Sequence, residues 1–255
     1  MNNESINLNK TNFIFPKNKE SFTLDKVKIS KISKDDLAPT GIQKFDKLAG
    51  GGFRKNSTNV IVGGPGSAKT IFSTEFLIGG MKKGEKCLYI TFEEDKEQFY
   101  KNMLNFGWDL SKYEEKGLFY FVRYNPQKVK SMLEEGGGLI ENYIKTKKIS
   151  RLVIDSISSF SSLFENESIK RQACLGLFEY LRRSKCTSLL TVENDPIRDS
   201  DSKAIEFSAD SVTRLYFILN NFERERLLEI LKIRGNTHSN KIHKFLISDK
   251  GININ

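Results

Sequence analysis

Val60-Ile61-Val62-Gly63-Gly64-Pro65-Gly66-Ser67-Ala68-Lys69-Thr70-Ile71-Phe72 decides how the rest of the chain is read. An apolar run ends in a glycine-dense turn, a Lys-Thr pair follows, and an apolar periodic segment begins. That is the order strand, phosphate loop, helix. Successive backbone N–H groups in such a loop point inward and cradle phosphate oxygens, and the helix start adds a partial positive charge. The candidate nucleotide-binding residues are therefore Gly64, Pro65, Gly66, Ser67, Ala68, Lys69, Thr70 and Ile71. Lys69 would reach the β- and γ-phosphates, and the Thr70 hydroxyl would ligate Mg²⁺. Ala68 stands where the pattern wants glycine. At a helix start, with φ near about −60°, alanine costs little and favours the helix; with φ positive it is strained. The first case is the expectation. The competing reading is an ordinary glycine-rich turn between strand and helix.

Residues downstream favour the phosphate loop. Cys87-Leu88-Tyr89-Ile90-Thr91-Phe92 is a near-continuous apolar strand, of the kind a parallel sheet covers on both faces. Glu93 and Glu94 stand at its carboxyl end, where ligands bind in open parallel sheets. A carboxylate there could orient and deprotonate a water for attack on the γ-phosphate. Asp95 would favour the N-terminus of the helix expected over Lys96 to Phe106, which Gly107-Trp108 ends. Leu118 to Val122 reads as a strand, and Lys128 to Lys147 as a helix interrupted at Gly136-Gly137-Gly138. Arg151-Leu152-Val153-Ile154-Asp155 is an apolar strand ending in acid, so Asp155 is the second candidate Mg²⁺ residue, opposite Thr70. Ile169 to Arg183 is helical. Ser188 to Glu193 is a strand whose Glu193 or Thr191 could sense the γ-phosphate. Asn194 to Ser202 is a polar loop, either solvated or facing a partner.

The end of the chain changes period. Ser211 to Leu219 alternates, Asn220-Asn221 makes a turn, and Arg226 to Arg234 alternates again, with Leu228, Ile230 and Lys232 assigned to one face. A further strand follows over His243 to Ser248. Upstream of the loop, Thr40 could cap a short helix carrying Ile42, Phe45 and Leu48, stopped by Gly50-Gly51-Gly52. The phosphate-loop helix itself reads as Ile71 to Met81, ended near Gly79-Gly80 or Gly84. The fold class is α/β: a mostly parallel sheet flanked by helices, closed by a C-terminal antiparallel extension. Residues 1–36 are polar and read as a flexible tail; residues 37–255 form the domain.

Composition bounds the partners. Among 255 residues, 38% are hydrophobic and 29% charged, which suits a soluble chain with a buried core. No apolar run approaches the roughly 18–20 residues that span a bilayer. Met1-Asn2-Asn3-Glu4-Ser5 lacks the start of a secretory signal, so a cytoplasmic location is expected. Cys87, Cys174 and Cys186 are scattered, and only His238 and His243 represent histidine, which argues against a disulfide framework or a zinc site. The net charge of +9 permits DNA or an anionic surface as partner without demanding it, because a nucleotide site needs positive potential anyway.

These pieces together resemble the KaiC-like branch of the RecA superfamily of P-loop ATPases. The resemblance is carried by Thr40-Gly41-Ile42, Phe45-Asp46, Gly50-Gly51-Gly52, residues 63–70, Thr91-Phe92-Glu93-Glu94, Phe106-Gly107-Trp108-Asp109, Ile154-Asp155-Ser156, Leu231-Lys232-Ile233-Arg234-Gly235 with His238, and Ile247-Ser248-Asp249-Lys250-Gly251. It implies a RecA-like core binding ATP and Mg²⁺, a hexameric ring as homo-oligomer, and ATP held between subunits. It makes Glu93 and Glu94 the catalytic glutamate pair. It makes Lys232 and Arg234 the cations that reach a neighbour's γ-phosphate, where a trans cation stabilises charge on the transferring group. Without it, the same two residues read as solvent-facing charges on an edge strand. Where the family's clock protein carries its autophosphorylated Ser and Thr, this chain has Glu206 and Phe207, so autokinase activity at those positions is not expected. Three functions stay open: an ATPase coupling slow hydrolysis to assembly or a protein partner, a non-hydrolysing nucleotide-binding scaffold, and a DNA-handling protein of recombinase type.

Overall fold

The structure, a computed structural model, describes residues 33–124, 138–161, 166–194 and 203–255. A short antiparallel pair, β1 (Leu37–Ala38) and β2 (Phe53–Arg54), brackets helix α1 (Gln43–Leu48). The main sheet then takes β3 (Thr58–Gly63), β4 (Cys87–Thr91), β5 (Phe119–Arg123), β6 (Arg151–Asp155), β7 (Thr187–Glu193), β8 (Ser211–Asn220), β9 (Glu223–Ile233), β10 (Ile242–Ser248) and β11 (Gly251–Ile254). Between them run α2 (Lys69–Met81), α3 (Lys96–Leu104), α4 (Leu110–Glu115), α5 (Gly138–Lys147), α6 (Ile157–Ser161), α7 (Glu167–Arg183) and α8 (Lys203–Ser208). The nine strands lie in the order β11-β10-β9-β8-β3-β7-β6-β4-β5. From β8 to β5 every pair is parallel; β9, β10 and β11 are antiparallel additions.

The near-continuous apolar strands follow from burial on both faces. Ile61, Tyr89, Val153 and Leu189 point toward α1 to α4. Val60, Val62, Leu88, Ile90, Leu152, Ile154, Leu190 and Val192 point toward α5 to α8. β3 is central, between β7 and β8, so the loop that follows it opens at the carboxyl edge of the sheet.

Two details differ from the sequence reading. Ile42, not Thr40, occupies the N-cap position of α1; Thr40 instead receives the Ile42 N–H on its hydroxyl at 3.2 Å and donates that hydroxyl to Asp46 at 2.8 Å. α2 ends at Met81, as read, and runs on through Gly79 and Gly80. Those glycines mark close approaches: a Cβ at 79 would meet the Thr40 carbonyl, and one at 80 would collide with Arg151. α4 was not expected; Asp109 caps it, accepting from the Lys112 N–H. As expected, Asp95 caps α3, accepting from the Glu97 N–H at 3.0 Å. Residues 1–32 of the expected 1–36 tail, the start of the 128–147 helix, and the 195–202 part of the polar loop lie outside the described residues, while Lys34–Asp36 of that tail form a short 3-10 helix leading into β1.

Two buried charges tie α2 to its surroundings. Arg151 on β6 is fully buried, and burying an unpartnered guanidinium would be prohibitive. It donates to the Glu85 carboxylate at 2.6 and 3.1 Å, to Pro39 O at 2.7 Å and to Phe76 O at 2.8 Å. Glu75 on α2 accepts the Ile252 N–H of β11 at 2.9 Å, linking the phosphate-loop helix to the C-terminal extension. Among the described residues no helix is long and apolar enough to cross a membrane.

Burial pushes the Glu75 carboxyl up from 4.5 to about 7. A raised carboxyl stabilises the fold fully only below its unfolded value, and that contribution is lost as pH rises through the folded value. Glu75→Gln keeps an acceptor for Ile252 without the charge. The variant should gain on the wild type as pH rises from 5 to 8, by on the order of 3 kcal/mol at most. Urea unfolding at the two pH values measures this; an equal difference at both would reject burial of the charge as the cause.

Candidate functional site

The loop leaving β3 closes on itself before α2 begins. Ser67 donates its hydroxyl to Gly64 O at 2.7 Å and its N–H to the same oxygen at 3.3 Å. Gly63 leaves room for this turn, since a Cβ there would collide with Ser67 and crowd the Leu215 carbonyl. At Gly64 a Cβ would meet nothing within 4 Å, so this backbone faces open space. Lys69, the first residue of α2, is buried and reaches back to Gly64 O at 3.1 Å. Burial lowers its pKa, opposed by the negative charges of Glu193, Asp155 and Glu93.

Ala68 corrects the sequence reading. It has φ 78° and ψ 26°, the left-handed conformation, not the start of a helix. A loop wrapping N–H groups around an anion alternates right- and left-handed residues, and the residue before Lys69 takes a left-handed turn. An L-residue there costs about 1–2 kcal/mol.

The acidic side is assembled from neighbouring strand ends. Thr70 donates its hydroxyl to Asp155 Oδ2 at 2.7 Å, so the two candidate metal residues meet. Tyr89 donates to the same oxygen at 2.6 Å, and Thr191 to Oδ1 at 2.5 Å. Thr191 is thereby fully buried against Asp155 and does not line the cleft, whereas Glu193 does. The Glu93 and Glu94 N–H groups both donate to the Thr91 hydroxyl at 3.2 Å. Glu93 accepts a close hydrogen bond from the Ser159 hydroxyl of α6. Glu94 keeps one buried carboxylate oxygen without a hydrogen-bond partner. Its pKa is raised, first by burial, then by the charges of Asp155 and Glu93.

These groups converge on one cleft of about 380 Å³, lined by Pro65, Gly66, Ala68, Lys69, Thr70, Ile71, Thr91, Glu93, Glu94, Asp155, Glu193, Arg226 and Ile247. Arg226 on β9 and Ile247 on β10 were not legible as site residues. Arg226 donates to Gly66 O at 3.0 Å and lies 4.3 Å from the Phe217 ring centre, so the antiparallel extension forms a wall of the site. No local pattern marks it, because pairing across the sheet brings β9 to the loop.

Lys232 and Arg234 do not enter this cleft. Ser211 pairs both with Asn59, at the start of β3, and with Ile233. The two cations therefore sit at the end of the sheet opposite the loop, about 13 Å away along β3. A bulge changes their faces: Val212 pairs with Lys232 but Thr213 with Ile230, leaving Leu231 unmatched. The strict alternation that put Lys232 with Leu228 and Ile230 is broken, and Ile233 joins those two in the core instead. Lys232 and Arg234 both turn toward α8, donating to Phe207 O at 3.2 and 2.7 Å. Arg234 also lies 3.6 Å from Asp210.

The donors suit a nucleotide with magnesium. A hydroxyl beside a carboxylate offers the hard oxygens Mg²⁺ prefers, and few protein ligands are needed when phosphates and waters complete the shell. Sheet order, phosphate loop, and the Lys69, Thr70 and Asp155 arrangement define a RecA-like P-loop fold. The chain belongs to the KaiC family of ATPases, whose family model matches residues 38–255. It is 35% identical over 225 residues to the circadian clock protein KaiC3 of Synechocystis, covering 84% of this chain but 45% of that protein. It is 33% identical to the UPF0273 protein PH0284 of Pyrococcus horikoshii, covering 84% of this chain and 91% of the relative. The solved KaiC-like protein PH0186 of Pyrococcus horikoshii superposes with a TM-score of 0.76 at 32% identity, covering 86% of this chain and 98% of that one. The chain thus spans under half of the clock protein and nearly all of these archaeal relatives.

Ala68→Gly should relieve the left-handed strain and stabilise the fold by about 1 kcal/mol in urea unfolding, less the entropy glycine adds to the unfolded chain. A loss of stability would mean that the methyl group contributes packing that outweighs its strain.

Proposed function

We propose that the protein is a magnesium-dependent ATPase whose site is shared between copies of the chain in a ring, with nucleotide state coupled to assembly or to a protein partner. One observation carries the reading. Lys69, Thr70, Asp155, Glu93 and Glu94 share a cleft, while Lys232 and Arg234 lie paired at the opposite end of the same sheet. On this reading the loop N–H groups and Lys69 bind the phosphates. Thr70 and Asp155 hold Mg²⁺, which neutralises charge on the β- and γ-phosphates when bound. The glutamate pair orients water and takes its proton. Glu94 has the buried, unpartnered oxygen such a base needs, and Glu93 is held by Ser159. Lys232 and Arg234 of one copy meet the γ-phosphate of the next, where the acidic cleft complements their charge. Residues 37–255 form the working domain. Glu206 is buried and ion-paired with Arg214 at 2.8 Å, which further removes it from phosphate chemistry.

Lys69→Ala should abolish nucleotide binding. Glu93→Gln with Glu94→Gln should retain binding and lower phosphate release by about 10²–10⁴-fold. Normal turnover in the double variant would remove the general-base role. Tight ATP binding by the wild type, with phosphate release no faster than Lys69→Ala, would favour the scaffold.

The trans assignment has its own test. Lys69→Ala and Arg234→Ala chains, co-expressed with different tags and purified through both, should recover roughly a quarter of wild-type turnover from randomly mixed interfaces. Each variant alone should be nearly inactive. Activity no greater than the sum of the parents, or failure to co-purify, would overturn the trans role of Arg234.

A further inference from the structure

Asp155 is gripped more elaborately than its expected role requires. Thr70 reaches it from α2, Thr191 from β7 and Tyr89 from β4. The flanking strands thus supply one hydroxyl to each carboxylate oxygen. Tyr89 belongs to no nucleotide-binding pattern. It is fully buried and pairs in register with Val153, so its side chain leans along the sheet by two residues to reach Asp155. Its ring packs against Phe99, at 4.5 Å between ring centres, and Phe121, at 5.8 Å and nearly parallel, the three rings forming one cluster. That packing determines where the hydroxyl points. A phenylalanine would fill the same space among aromatic neighbours, so packing does not account for the oxygen. A buried hydroxyl needs a partner, and Tyr89 has Asp155 at 2.6 Å, with the Thr70 hydroxyl beside it.

We infer that Tyr89 is a positioning residue for the magnesium site, holding the Asp155 carboxylate in the orientation that faces Thr70. This rests on the reading of Thr70 and Asp155 as the magnesium residues. Partners that orient a metal-binding carboxylate from behind affect metal affinity nearly as much as the ligand itself. With both oxygens engaged by neutral donors, Asp155 is held at the wall of the cleft that Thr70 also lines. Thr191 performs the same service from the other side.

The test is Tyr89→Phe, with Thr191→Val as a second variant, each binding a fluorescent ADP analogue. Binding is measured across a Mg²⁺ titration and again in EDTA. The Mg²⁺ concentration for half-maximal enhancement should rise about 10-fold in Tyr89→Phe, while affinity in EDTA stays within about twofold of wild type. Asp155→Asn should lose the enhancement entirely. A wild-type Mg²⁺ dependence in Tyr89→Phe overturns the inference. So does an equal loss of affinity with and without Mg²⁺, which would make the tyrosine a support of the pocket wall. If the wild type itself binds without any Mg²⁺ enhancement, the magnesium reading of Thr70 and Asp155 fails, and the role of Tyr89 with it.

Discussion

Nearly complete burial of α2 is the constraint on which the rest of the structure depends. From Phe72 to Met81 every residue is buried, between the sheet, the segment carrying α1, and β11. A helix enclosed this way carries no polar face, which is why its apolar residues spread all round it. Each neighbour must then come close or supply a polar partner. Gly79 and Gly80 admit Thr40 and Arg151. Arg151 satisfies its buried charge on Glu85 and two carbonyls, and Glu75 receives the Ile252 N–H. Because the helix cannot shift without breaking these contacts, Lys69 and Thr70 at its start are held still, as an electrostatic site requires.

The carboxyl edge of the parallel sheet completes the site. β4, β6 and β7 end side by side and deliver Glu93 with Glu94, Asp155, and Glu193 to one cleft. Burial first, and then the charges of Asp155 and Glu93, raise the pKa of Glu94, and the four carboxylates leave local negative charge that cations balance. Lys69 supplies one from within. The sheet sends the candidate partners elsewhere: the bulge in β9 turns Lys232 and Arg234 out of the core alternation and toward α8. The same architecture that concentrates acid at one end presents base at the other, a complementarity suited to head-to-tail contact between copies.

Much of this was legible in the chain because it is local. The strand, loop and helix at 60–72, the acids at or just beyond the ends of β4, β6 and β7, the Asp95 cap and the hairpin, whose turn falls at Asn221-Phe222, one residue later than read, are set by residues adjacent in sequence. What failed was decided by distant contacts. Thr191 looked like a phosphate sensor until its hydroxyl was found on Asp155. Ala68 was expected to be helical, but the closing turn of the loop, where Ser67 and Lys69 both reach back to Gly64 O, takes it left-handed.

The sequence by itself determined the class of fold, the order of its elements, and the chemical types gathered at the strand ends, because hydrophobic period, glycine punctuation and terminal acids act within a few residues. Only the tertiary structure decided which of those groups touch. Tyr89 and Arg226 became part of the site because strands far apart in sequence pair in a particular register, and a single unmatched residue in β9 chose the face on which Lys232 and Arg234 lie. Register and bulges are settled by packing across the whole sheet, and no short stretch of chain contains that information.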